Sequence, residues 1–155
     1  MTKKEIELAG AILYKCEGTR LRRDLRYPNA NTFYYVIDFT NSDPLLIKLF
    51  LDFLRRMLKI REEKLRVSLN FYDNVDRNKL IKFWSTITKI PKNQFYNTKS
   101  CHAENPKYRP NLLGTCKIRY MDKKTYFKLD EIIKKRLGKE ASLIVNKNSI
   151  KGGVA

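Results

Sequence analysis

The sequence predicts an α+β domain with the element order α-β-β-α-β-α-β-β-α. Three observations carry that expectation. Apolar residues recur at helical spacing in some segments and alternate with polar ones in others. Asx, Pro and Gly residues mark the boundaries between these segments. The 155 residues give room for one hydrophobic core and hardly for two, so a single domain over 1–138 is expected, with a loosely held tail over 139–155.

From Lys4 to Cys16 the residues Ile6, Leu8, Ala9, Ile12, Leu13 and Cys16 fall at helical spacing, and Gly18 closes the run as a C-cap. The arginine-rich stretch 20–26 and the aromatic, β-branched stretch 32–39 then read as a hairpin around a turn at 28–31. Asn41-Ser42-Asp43-Pro44 is a helix start. Ser42 or Asp43 serves as the cap, Pro44 sits where its missing N–H costs nothing, and the helix runs from Leu45 to Leu58. Leu65, Val67, Leu69 and Phe71 alternate with Arg66, Ser68, Asn70 and Tyr72, which predicts a strand over 64–72 buried on one face and polar on the other. Asp73 to Asp76 introduce a helix over 77–88, and 95–101 is expected to be extended. A loop over 102–113, with Pro106 and Pro110, leads to a last strand over 114–121. Asp122 then caps a final helix that stops at Gly138.

Lysine and arginine number 33 against 16 acidic residues, a formal net charge of +17. Such self-repulsion points to a polyanionic partner, nucleic acid first, because each cation set against a phosphate releases counterions. The opening residues show no basic amphipathic helix or lipidation signal, and no apolar run is long enough to span a bilayer. A cytoplasmic location without membrane contact is therefore expected. Cys16, Cys101 and Cys116 form no CxxC pair and leave an odd thiol, which fits a reducing compartment. With His102 as the sole histidine, a zinc site or a histidine-based triad has almost nothing to work with.

The run Leu8-Ala9-Gly10-Ala11-Ile12-Leu13-Tyr14-Lys15-Cys16-Glu17-Gly18 resembles the signature helix of LAGLIDADG homing endonucleases, which ends in an acidic residue followed by glycine. Phe39-Thr40-Asn41-Ser42-Asp43-Pro44 resembles the strand-to-helix junction of that family. Trp84 to Pro91, together with Gly114 to Tyr120, is similar to a single-motif prokaryotic branch of it. The family keeps a small residue five positions before the acid, where this chain has Ile12. Gly10 is expected to do the packing instead, since Ile6, Gly10, Leu13 and Glu17 share one helical face and a partner helix could come close there.

The resemblance implies a mixed or antiparallel sheet forming a DNA-binding saddle, with helices on its other face. It implies a sequence-specific, divalent-metal-dependent DNA endonuclease. Because the chain carries one acidic motif, the active form would be a homodimer on a pseudo-palindromic duplex. Glu17 of each copy would hold Mg²⁺ or another divalent cation, a hard ion that chooses carboxylate and water oxygen. Ile6, Gly10 and Leu13 would form the dimer interface. Asn41 and either Lys117 or Arg119 match the remaining catalytic positions. The two cations lie two apart on one strand and so share a face, and only Lys117 could take part in acid–base steps. Strand alternation offers Arg20, Arg22 and Arg26, then Arg66, Ser68 and Asn70, then Lys117 and Arg119 as contacts to base edges or phosphates of double-stranded DNA.

A non-cleaving DNA- or RNA-binding protein of the same fold, regulating transcription or helping an intron RNA to fold, would share these features without needing the Glu17 carboxylate. A third reading, a basic ribosome-associated protein, would use Tyr34, Tyr35, Tyr72 and Tyr108 as stacking platforms for single-stranded RNA.

Overall fold

Thr2 opens α1 (Lys3–Glu17) through a full capping box with Glu5, each side chain bonded to the other residue's backbone N–H. The structure, a computed structural model, describes residues 1–29, 32–96, 99–101 and 112–144. Gly18 ends α1 with its N–H on the Tyr14 carbonyl, yet its backbone is extended, φ −80°, rather than left-handed. Glycine is needed there for another reason, because a Cβ would strike the Tyr14 carbonyl and ring. The expected hairpin follows as a short antiparallel ladder of β1 (Arg22–Arg23) and β2 (Phe33–Tyr34). Its second strand breaks at Tyr35, whose ring is held by Tyr126 and Phe127 at centroid distances of 5.8 and 5.3 Å, and the chain then enters the main sheet as β3 (Val36–Asn41).

Asp43 is the cap of α2 (Pro44–Phe53), accepting from the Leu45 N–H at 2.8 Å. The predicted helix does reach Leu58, but its last part, Leu54–Leu58, widens into a π-helical turn. There follow β4 (Arg66–Tyr72), α3 (Arg77–Thr88), β5 (Lys99–Cys101), β6 (Thr115–Met121) and α4 (Lys123–Leu137). The main sheet has the order β3-β6-β4-β5, antiparallel except for the parallel β4–β5 pair. The chain is thus an α+β protein with a mixed sheet. Ile37, Phe39, Val67, Leu69, Cys116 and Ile118 form the buried inner face. Phe39 stacks on Phe50 of α2 at 4.2 Å, and burial of each such side chain stabilises the fold by about 1.5–3 kcal/mol. The opposite face, with Arg66, Asn70 and Lys117, stays open.

Two expectations are corrected here. Ile6 is 1% exposed, and the Phe53 ring lies so close over Gly10 that a Cβ would overlap it. Gly10 does admit a neighbouring helix, but that helix is α2 of the same chain, and Leu13 packs half-buried against the same core. Ile6 and Gly10 are therefore unavailable to a second copy. The domain also extends past 138. A 3₁₀ turn, Lys139–Ala141, leads to Ser142 and Leu143, whose hydroxyl and N–H donate to the buried Asp130 carboxylate at 2.9 and 2.6 Å. Lys15 Nζ donates to the Ala141 carbonyl at 2.7 Å, tying the segment to α1. The rest of the expected tail, 145–155, lies outside the described residues, as do the turn residues 30–31 and the loop 102–111 with His102 and Tyr108.

Candidate nucleic-acid interface

Cross-strand register sets the open face in rows. Asp38, Arg119 and Arg66 stand side by side on β3, β6 and β4, and the next row is Thr40, Lys117 and Ser68. Asn70 pairs with Thr115 beyond them. Two arginines directly opposite one another repel, and here each is drawn away. Arg66 turns Nη1 onto the carbonyls of Glu63 and Leu65 at 2.6 and 2.7 Å. Arg119 gives Nε to Asp38 Oδ1 at 2.7 Å and Nη2 to Oδ2 at 2.5 Å. Asp38 is only 6% exposed, and its carboxylate raises the Arg119 pKa above the ordinary guanidinium value. Sequence reasoning passed over Asp38. Its signal was a lone carboxylate in an aromatic strand, and its partner is 81 residues away.

A second pair repeats the pattern on the hairpin. Arg26 gives Nε and Nη2 to the two oxygens of Asp24 at 3.1 and 2.9 Å, and its guanidinium lies over the Tyr34 ring at 5.1 Å. The Arg26 guanidinium holds the Asp24 carboxyl down at about 2. The expected alternation of Arg20, Arg22 and Arg26 along one strand does not occur, because β1 is two residues long and the chain then turns. All three, with Arg23 and Arg119, instead line one cleft of about 400 Å³ between the hairpin and the sheet. A second opening of about 620 Å³ lies on the other side of Arg119, against Lys64, Arg66 and Tyr96.

Comparison with protein families, curated proteins and solved structures finds no match to this chain. The reading of the site therefore rests on its geometry.

Gly18 bridges to Phe39, and the Thr19 N–H donates to the Asp38 carbonyl at 3.0 Å, so the end of α1 joins the edge of the main sheet. Glu17, the last residue of α1, directly precedes this bridge, and farther along β3 Thr40 pairs with Lys117 of β6. Glu17 is exposed and makes no ion pair among the described residues. Asn41 has a structural use, its Oδ1 accepting from the Asp43 N–H at 2.8 Å to turn the chain into α2. Arg119 belongs to Asp38, whereas Lys117 stands in the next row between Thr40 and Ser68. Carboxylate oxygen suits a hard cation, but no group of three or more His, Cys, Asp or Glu side chains converges among the described residues. On the outward side of α1, Leu8 and Ile12 are 42% and 45% exposed, one turn apart. No helix among the described residues is long and apolar enough to cross a membrane.

Proposed function

We propose that this chain is a sequence-specific, divalent-metal-dependent DNA endonuclease of the LAGLIDADG type, working as a homodimer on duplex DNA. The observation that carries the reading is the junction of α1 with the sheet. It sets the acid of the Glu-Gly motif, exposed and unpaired among the described residues, directly before the bridge that joins α1 to the edge strand β3 of a sheet whose open face is basic. The partner would be a second copy docked on the outward face of α1. Ile12, five residues before Glu17, sits there, at the position the family keeps small, and Leu8 extends the patch.

Glu17 of each copy would hold the cation, with phosphate oxygens as further donors. A divalent ion so held supplies a lowered water pKa and stabilises charge on the leaving oxygen. Lys117 would balance charge on the phosphate or move a proton at its Nζ. Arg20 and Arg22 at the cleft would neutralise the backbone and set the register of the duplex.

One observation favours a second reading, binding without cleavage. Side chains at a helix crossing set the interaxial distance, and the branched Ile12 would hold two copies of α1 further apart than a small residue does. The test is incubation with Mg²⁺ and a randomised plasmid library. Double-strand breaks recurring at one sequence support the endonuclease. Binding that weakens steeply with salt, without breaks, supports the second reading, and no affinity for duplex DNA defeats both.

A further inference from the structure

We propose that Asp38 and Asp24 are positioning residues that make Arg119 and Arg26 fixed readers of guanine edges in the major groove. The inference rests on the duplex-DNA reading above and adds what each arginine does there. In both pairs the carboxylate takes the same edge of the guanidinium, Nε and one N–H of Nη2. A guanidinium has five N–H groups in a rigid fork. Three remain, both on Nη1 and one on Nη2, and the far edge presents two parallel donors. That is the pattern that guanine O6 and N7 accept bidentately. The Tyr96 side chain also lies beside the Arg119 guanidinium.

Charge gives the second argument. A carboxylate on a surface that meets phosphates lowers affinity for every DNA sequence alike. Asp38 and Asp24 are 6% and 7% exposed and line the same cleft as the arginines they hold, inside a chain of net charge +17. Phosphate binding alone would be better served without them. What a buried carboxylate adds is orientation, because the gripped arginine has already given up the rotamer freedom that a loose one loses on binding. Arg20 and Arg22 supply the contrast. They line the same cleft with no ion pair among the described residues, which suits phosphate contacts that need charge more than angle.

The experiment is selection of bound duplexes from a randomised pool, without divalent metal, by the wild-type protein, Asp38→Asn and Asp24→Asn, with affinity for a fixed non-cognate duplex measured beside it. The wild type is expected to demand guanine at two or more positions. Each variant should relax one of them by roughly tenfold, the scale of one lost bidentate base contact. Its affinity for the non-cognate duplex should hold or rise, since a negative charge has gone. Unchanged guanine demand in both variants, or an equal fall on all sequences, would overturn the inference. If a thermal melt shows that Asp38→Asn does not fold, Asp24→Asn on the exposed hairpin decides alone. A wild type that binds DNA without any guanine preference sinks this inference only, whereas one that binds no duplex at all removes the endonuclease reading as well.

Discussion

Arg119 and Arg26 are each gripped by a buried carboxylate of their own chain, whereas Glu17, at the edge strand of the same sheet, is exposed and makes no ion pair among the described residues. The two regions differ in how their charge is held. Around the arginines, charge is balanced and geometry is set by hydrogen bonds within the chain. Glu17 is left to solvent, and under the proposed function a cation would meet it there. Under the proposed function, a single chain would carry its recognition surface ready-made while its reaction centre waits for assembly. That division would make cutting depend on a correctly bound duplex and on a partner together.

The largest effect expected from any one substitution is at Gly10, because α1 supports both regions. Gly10→Leu drives a side chain into the Phe53 ring, and overpacking of this kind destabilises by about 3 kcal/mol, or roughly 10 °C in Tm. A variant that melts with the wild type would return Gly10 to a partner surface. Ile12→Glu separates the regions instead. Since Ile12 is 45% exposed, the fold should survive, while sedimentation at micromolar concentration should shift from dimer to monomer and cleavage should disappear. A dimer that persists in Ile12→Glu places the interface elsewhere.

A smaller effect follows from acid. Arg26 holds Asp24 at about 2, and the Thr125 hydroxyl and N–H, with Lys64, hold the α4 cap Asp122 at about 2. Both lie below the unfolded carboxylate value near ~3.9. Groups depressed in the folded state contribute stability that is present above the unfolded value and is lost as pH falls through the folded one. Stability should thus fall between about pH 4 and pH 2, and Asp24→Asn should flatten part of that fall. A wild-type stability that stays level across the window would contradict the strength of both pairs.

The helices were legible because their signals are local. Asp122 caps where the sequence places it, Asp43 takes the cap that the sequence left between Ser42 and Asp43, and α3 spans Arg77–Thr88 as the apolar spacing requires. The alternation of 65–72 gave β4 its buried and open faces in the same way. What was hidden depends on partners distant in the chain. A glycine on a helix face announces a close neighbour without saying whose helix it is, and Gly10 found Phe53. Asp38 gains its meaning only from a strand 81 residues on, and Asp130 only from the segment at Ser142 that it anchors. The setting of Tyr35 at the break has the same origin, since the aromatic rings that hold it come from α4.

The measurement that tests this division most directly compares the wild type with Glu17→Gln on the duplex that the wild type selects. Binding is followed without metal, and strand cleavage with Mg²⁺. Glu17→Gln keeps the shape of the side chain and removes its charge, so metal-free affinity should hold or rise and guanine demand stay unchanged, while cleavage falls by at least about a hundredfold, the scale of a lost metal ligand. Cleavage by Glu17→Gln at the wild-type rate would take this carboxylate out of the reaction and with it the contrast between a finished recognition surface and an unfinished reaction centre.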